Sequence, residues 1–508
     1  LTAQEVCRRW LALGREDALW RALAAARPDF AWALAPSGGL VLPRGWQEWY
    51  SRRAAGAARW RSASPRGVTV LEGHLGTVFG VCAHPQAPRA LFSAGEDARL
   101  RLWDAATGAL AAAVDVPSLQ GLFNVHAFAT AGPGSQCFAA ACGFNGDVCL
   151  LPLRAPPAGG PRLAARLTAA DLRARFAAVG LDADDADAAG GANLAAALEA
   201  LRAAEGARER CAAALPRPGG RDAGTEAPPL AGVATPQGPG VLLAGHAAPV
   251  VAARDRDGTL ATCSFDGSIR LWSVAAAAAA GDAADAAARE AAQKAEAGAR
   301  PPQPRQPPDF AASTATLSDV PPDAPLGPHE YSVAAICLPT GAPTTLVRGG
   351  NDGLVKIWDL EARTVTAALA GHGGWIWCLE AGDEAGNLML SGATDSAIRG
   401  WDLRAPRGGN ALRAETLPNA GPVSGLAVRP AEGRVASGSF DGQVRLFDLR
   451  MWGAPRAAQT AGGGPRAQTG PGLRGHTDRV ARVAATASYV ASASFDTTLR
   501  IMAFDDIL

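Results

Sequence analysis

Gly371-His372-Gly373-Gly374-Trp375-Ile376, followed by Ser391-Gly392-Ala393-Thr394-Asp395 and closed by Trp401-Asp402, is the stretch on which the fold turns. The pattern is repeated along the chain. Five of the seven histidines sit four residues before a β-branched residue: His74–Val78, His246–Val250, His329–Val333, His372–Ile376 and His476–Val480. Glycine precedes four of them, at Gly73, Gly245, Gly371 and Gly475. Some 20–23 residues later comes an aspartate, at Asp97, Asp266, Asp352, Asp395 and Asp496. Six residues beyond each aspartate stands Trp103, Trp272, Trp358, Trp401 or Met502. A sixth copy carries Asn419 in the histidine slot, then Asp441 and Phe447. A seventh, degenerate copy reads Phe144-Asn145-Gly146-Asp147-Val148, with Asn145 in the aspartate slot.

Short β-favouring runs such as Arg434–Ser439 and Gln443–Asp448 flank a tight Asp441-Gly442 turn, a strong hairpin signal. A histidine, a hydroxyl four residues before the aspartate, the aspartate itself and the tryptophan can close one buried hydrogen-bonded network. Buried polar groups are tolerated when each finds a partner, so these four residue types belong together. Complete sets are His74/Ser93/Asp97/Trp103, His246/Thr262/Asp266/Trp272 and His372/Ser391/Asp395/Trp401. Elsewhere the set is broken: Arg348 takes a hydroxyl slot and Met502 a tryptophan slot, and apolar packing is expected to replace the network there. A Ser/His/Asp set also carries nucleophilic catalysis, but one that recurs with every repeat reads as structural, since catalysis needs a single exposed site.

These marks resemble the WD repeat, whose Gly-His and Trp-Asp signatures delimit a four-stranded blade. The resemblance implies a mainly β fold, a seven-bladed β-propeller, with blades near 68–110, 111–153, 241–274, 328–365, 366–403, 411–450 and 473–505. The last blade has three strands before the chain ends; Val68–Leu71 is expected to supply the fourth and remove the exposed edges.

Composition narrows the function. Basic and acidic residues balance at 48 each, which gives no electrostatic case for nucleic acid or an anionic membrane. No apolar run approaches the roughly 20 residues that span a bilayer. The nine cysteines show neither metal spacing nor a paired framework; Cys137, Cys142 and Cys149 lie in a strand-like stretch, and buried free thiols in a reducing compartment, cytoplasmic and/or nuclear, are expected. Lys294 and Lys356 are the only lysines, which fits GC-rich codon bias and equally a receptor that escapes its own ligase. No isolated nucleophile–base pair, metal cluster or phosphate-binding glycine loop is present, so no enzyme, metal or cofactor is expected.

Two segments interrupt the array. Residues 275–327 are alanine-rich and then proline-rich (Arg300–Pro308), read as a short helix and a disordered linker. Residues 154–240 read as a helical and disordered insertion, with helical patterns over Leu163–Val179 and Leu194–Arg208. Leu167–Arg173 with Gly180-Leu181 resembles the first helix of a SAP-type module, which implies DNA binding. The turn Asp182–Asp187 is acidic where basic residues are wanted, and a surface helical hairpin is preferred. The same turn fails as a calcium loop, because Ala196 stands where a bidentate glutamate is needed.

Six of thirteen tryptophans fall in the first 60 residues: Trp10, Trp20, Trp32, Trp46, Trp49 and Trp60. Val6-Cys7-Arg8-Arg9-Trp10, followed by Asp17-Ala18-Leu19-Trp20, resembles the C-terminal helices of an F-box, so that 1–30 would be the end of an F-box-like region. Trp46–Arg53, ending at Arg59-Trp60-Arg61, resembles the linker of F-box/WD-repeat proteins, placing a tryptophan-rich helical linker at 31–67. The resemblance implies a substrate receptor of an SCF-type ubiquitin ligase, with Val6, Cys7, Trp10, Leu19 and Trp20 on the cullin adaptor and the propeller on a protein substrate. The chain opens at Leu1, so the Leu-Pro start of an F-box would lie upstream. A tryptophan-rich cap on the propeller, in a WD-repeat scaffold without ubiquitin connection, is the alternative.

In phosphodegron-reading members of that family arginines line one face of the propeller. Here the positions before the hairpin aspartate hold Glu96, Phe144, Phe265, Asn351, Thr394, Phe440 and Phe495, and those flanking the first-strand anchors add Phe79, Trp375 and Trp377. Only Arg479 and Arg482 are basic. Bidentate phosphate recognition wants an arginine cluster. The expected substrate-binding face is therefore Phe79, Phe265, Trp375, Trp377, Phe440, Arg479, Arg482 and Phe495, suited to an apolar or aromatic anchor; packing of these phenylalanines between blades is the alternative.

Overall fold

The computed structural model describes residues 46–130, 136–154, 235–236, 240–280, 313–318, 331–383, 385–404, 412–416, 420–449 and 473–505. Within them the chain builds seven antiparallel sheets. In blade one the strands a to d, from the axis outward, are Val78–Ala83, Ala90–Gly95, Arg99–Asp104 and Leu110–Asp115. The other strands a are Leu122–Ala129, Val250–Arg256, Val333–Cys337, Ile376–Ala381, Val423–Arg429 and Val480–Ala485. Each strand a packs on that of the next blade, and the seventh packs on the first. This is a seven-bladed β-propeller with its core between blades.

The closing strand is Gly67–Leu71, which pairs with Leu499–Ala503 in the register Val68↔Met502. The same interlock corrects the blade limits drawn from the repeat. Leu110–Asp115, expected in blade two, is the outer strand of blade one. Val241–Leu243, expected in blade three, pairs with Val148–Arg154 and completes blade two across the 154–240 insertion. Ala315–Ser318, inside the expected 275–327 linker, pairs with Ser268–Ser273 as strand d of blade three. Thr364–Leu369, expected at the junction with blade five, belongs to blade four. In six of the sheets the outer strand comes from the segment ahead of the next blade's strand a; in the sixth blade the described residues there form only the bridge Val444↔Leu473.

The polar sets close as networks. His74 Nδ1 lies 3.0 Å from Asp97, His74 Nε2 2.7 Å from Ser93 Oγ, and Trp103 Nε1 donates to the same Oγ at 2.8 Å. His246/Thr262/Asp266/Trp272 repeats this with Trp272 Nε1 at 2.9 Å from Thr262, and His372/Ser391/Asp395/Trp401 with Trp401 Nε1 at 2.7 Å from Ser391. One proton assignment satisfies every group: indole N–H to hydroxyl, hydroxyl O–H to neutral Nε2, Nδ1–H to carboxylate. Burial holds the His74 imidazole below its ordinary pKa despite the Asp97 hydrogen bond, which keeps it neutral. Burial raises the Asp97 and Asp395 carboxyls, but hydrogen bonds and nearby cations outweigh it; Asp395 is brought down to about 2. Blade seven keeps His476, Ser492 and Asp496, with both contacts at 2.8 Å, and buries Met502 where the indole would be.

Blade four departs from the expected apolar substitute. Arg348 is 1% exposed and forms ion pairs of 3.1 Å with Asp352, which Lys356 also reaches at 2.9 Å. The indole N–H of Trp358 has no acceptor. His329 and Asn419 lie outside the described residues. The seven described cysteines are free, six of them buried, and desolvation pushes the thiols of Cys149, Cys263, Cys337 and Cys378 up to about 12.

Helix α1, Trp46–Arg61, docks where strands c end. Trp60 packs on Phe504 at 5.0 Å, the Arg434 guanidinium lies 5.1 Å above its ring, and Arg59 donates to the Phe504 carbonyl at 2.8 Å. Strands a begin at the opposite end of the propeller, beside the hairpins between strands b and c, as the pairing Val78↔Gly95 shows. No described helix is long and apolar enough to cross a membrane.

Candidate binding face at the propeller mouth

Every strand a carries the same irregularity just after its first residue, where the register slips by one: Val78/Gly80, Leu122/Asn124, Val250/Ala252, Val333/Ala335, Ile376/Cys378, Val423/Gly425 and Val480/Arg482. A bulge of this kind frees one residue from the ladder and re-aims its side chain. The freed residues are Phe79, Phe123, Val251, Ala334, Trp377, Ser424 and Ala481. Three large aromatic rings are thus turned out of the sheet by the backbone itself.

They meet the aromatic residues that precede the hairpin aspartates, and the contacts close into a ring. Phe79 stacks on Phe123 at 5.1 Å, and Phe123 meets Phe265 edge-on at 5.7 Å. Phe265 reaches Trp377 at 6.3 Å, Trp377 reaches Phe440 at 6.4 Å, Phe440 meets Phe495 at 6.1 Å, and Phe495 returns to Phe79 at 5.4 Å. Phe144 joins through Phe79 and Phe123, and Trp375 through Trp377 at 5.6 Å. The six rings come from blades one, two, three, five, six and seven; all are half-buried. Blade four contributes Ala334 and Asn351 at the matching positions.

The structure therefore gathers Phe79, Phe265, Trp375, Trp377, Phe440 and Phe495 at one mouth and adds Phe123 and Phe144. Arg479 is exposed there, its guanidinium 5.3 Å from the Phe440 centroid and 5.8 Å from that of Phe495. Arg482, expected on the same outer face, is instead turned inward. It donates to the carbonyls of Trp377 at 3.4 Å and Val251 at 3.5 Å, on the innermost strands of blades five and three, so it crosses the axis. The position two residues after the anchor looks into the channel, and burial lowers the Arg482 pKa. Phe123 had a findable signal, the residue after the anchor Leu122, but blade two has no histidine to mark that anchor.

Deeper in the channel, Arg254 pairs with Glu380, and His126 lies 2.8 Å from Asp255. Burial pulls the His126 pKa down, but hydrogen bonds to Asp255 and Cys82 more than offset it and the net shift is upward. No group of three or more metal-ligating side chains occurs among the described residues. The adaptor residues Val6, Cys7, Trp10, Leu19 and Trp20 lie outside the described residues.

The ring of repeated blades is a seven-bladed β-propeller. The family model "WD domain, G-beta repeat" matches residues 66–104, 239–273, 363–402 and 414–448, so WD repeats are present in the chain. Among similar proteins, a ribosome biogenesis protein WDR12 homolog of Chlamydomonas reinhardtii is 30% identical over 129 residues, 25% of this chain and 28% of that protein. The WDR12 homolog of Oryza sativa subsp. japonica is 28% identical over 212 residues, 41% of this chain and 44% of that protein. Meiotic fizzy-related protein 1 of Schizosaccharomyces pombe is 32% identical over 112 residues, 22% and 25% of the two chains. The chain thus spans less than half the length of these relatives. Fold and repeats together show a seven-bladed propeller that carries WD repeats.

Proposed function

We propose that the chain captures one protein partner on the aromatic mouth and performs no chemistry of its own. The observation that carries this reading is the closed circuit of six half-buried aromatic rings supplied by six blades. Such a circuit offers a large apolar area on rigid supports, the character of an interface centre. Relatives named for ribosome biogenesis and for a fizzy-related protein share limited stretches with this chain. That likeness supports a scaffold and selects no particular partner. The test is affinity capture with the full chain beside Trp375→Ala and Phe440→Ala. Loss of an interface centre of this kind costs about 2 kcal/mol or more, roughly a 30-fold weaker complex. Both variants are expected to keep the wild-type circular dichroism and release the same captured proteins; capture unaltered by both would refute the reading.

A second reading places the protein in an SCF-type ubiquitin ligase, with Val6, Cys7, Trp10, Leu19 and Trp20 on the cullin adaptor. It is favoured by the docking of α1 at the end of the propeller opposite the aromatic mouth, which would leave the two partners apart. Failure of the full chain to co-purify with the adaptor would count against it.

A further inference from the structure

Blade seven is built differently at the place that a tryptophan fills in its sister blades. Four segments share one register: Leu71-Glu72-Gly73-His74, Leu243-Ala244-Gly245-His246, Leu369-Ala370-Gly371-His372 and Leu473-Arg474-Gly475-His476. In the first three the leucine is 2%, 0% and 6% exposed, and it shares an apolar cluster with Trp103, Trp272 and Trp401 in turn. In two of them the ring edge also reaches the glycine. A Cβ on Gly73 would stand 3.3 Å from Trp103 Cη2, and one on Gly371 2.9 Å from Trp401 Cη2. Blade seven carries Met502 at this position, opposite Val490 as Trp103 is opposite Leu91. A thioether chain is narrower than an indole, and here Leu473 is only half-buried.

A cavity of about 190 Å3 lies beside these residues. Pro65, Val68, Leu473, Gly475 and Met502 form its walls together with Arg474 and Arg500. Leu473 bridges to Val444 of blade six, and Val68 pairs with Met502 in blade seven, so the cavity sits between the two blades at their outer edge. Val68 is 49% exposed, which gives it an opening to solvent.

We propose that this cavity binds a small planar aromatic molecule of one or two rings. Size permits it: an apolar cavity of about 150 Å3 already takes benzene. Shape favours it, because the leucine and glycine walls are those that clasp a flat indole in blades one and five. The two arginines add a preference for an aromatic ring over a saturated one of equal size, since a cation is drawn to a ring's π face. Ser492, whose counterparts Ser93 and Ser391 accept an indole N–H, is not among the walls, so the ring needs no donor of its own. The site stands at the rim of the propeller and does not depend on the aromatic mouth.

The test titrates indole into the full chain and follows its three methionines by NMR of isotope-labelled methyl groups. The Met502 signal is identified by its loss in Met502→Leu. Indole is expected to shift that signal saturably, at millimolar strength or tighter, and to leave the signal of Met389, buried in blade five, in place. Phenol should bind more tightly than cyclohexanol, its saturated counterpart. Val68→Trp, a change on an exposed edge strand, should block the cavity from its open side and weaken indole binding at least tenfold. A Met502 signal that stays in place up to the solubility of indole would overturn the proposal. So would a shift of Met389 equal to that of Met502, an undiminished affinity in Val68→Trp, or equal affinities for phenol and cyclohexanol.

Discussion

Blade one and blade four occupy equivalent places in the ring and solve the same problem by different chemistry. Both must bury a tryptophan and tie an aspartate hairpin to the strands behind it. Blade one threads the tie through Trp103, Ser93, His74 and Asp97, a chain in which every buried donor meets an acceptor. Blade four drives the Arg348 guanidinium into the hydroxyl's place, pairs it with Asp352, and leaves the Trp358 N–H without an acceptor. The difference shows that the propeller needs a link between hairpin and strand b, while the tryptophan's hydrogen bond is dispensable where a charge pair supplies that link.

The largest effect is expected from Ser93→Ala. Ser93 Oγ serves two partners, so its removal strands both His74 Nε2 and Trp103 Nε1. At about 1–3 kcal/mol per stranded group, the loss should be about 3 kcal/mol. In blade seven, Ser492 serves His476 alone, because Met502 has no N–H to offer. Ser492→Ala should therefore cost about half as much. Hydrogen exchange resolved by blade measures both; equal losses would mean that the indole contact carries no weight.

Acid should separate the two blades less strongly. Burial depresses the His74 pKa, so blade one gains its stability above the unfolded value of about 6.5 and loses it as pH falls toward the folded value. The Arg348 guanidinium does not titrate in that range. Between pH 7 and pH 5 the amides of Ala90–Gly95 should exchange faster, with those of Thr345–Gly350 changing less. Uniform acceleration in both strands would remove His74 as the source of the difference.

The sequence made much of this legible, for a physical reason: a buried polar network fixes residue identity at every node. His74, Ser93, Asp97 and Trp103 can be read as a unit because few residue types satisfy one another in that place, a hydroxyl from Ser93 or, in blade three, Thr262 among them. The aromatic mouth was readable only in part. Phe79 and Trp377 follow anchors that a histidine marks, whereas Phe123 follows Leu122 in a blade without that marker. Sequence offset alone puts Arg482 at the mouth, whereas the bulge after Val480 decides which side chain faces the channel. Strand d escaped in blades one and three for another reason. Leu110–Asp115 and Ala315–Ser318 carry no network residue, and the pairing of Ala315–Ser318 across a long insertion is not encoded locally.

The sharpest comparison of the two blades is the same substitution made in both. Trp103→Phe and Trp358→Phe remove nearly the same volume from sites 2% and 3% exposed, so the cavity cost should be similar in each. What differs is the hydrogen bond. Trp103→Phe takes a donor from Ser93 Oγ, whereas Trp358→Phe deletes an N–H that was buried without an acceptor and so removes a penalty along with the volume. The first substitution should therefore cost about 1 kcal/mol more than the second. Local opening energies from hydrogen exchange at Leu91 and Leu346, which pair with the two tryptophans, give that difference directly. Should Trp358→Phe prove the more costly, the indole N–H of blade four must find an acceptor in solution, and the contrast between the blades would reduce to Arg348 alone.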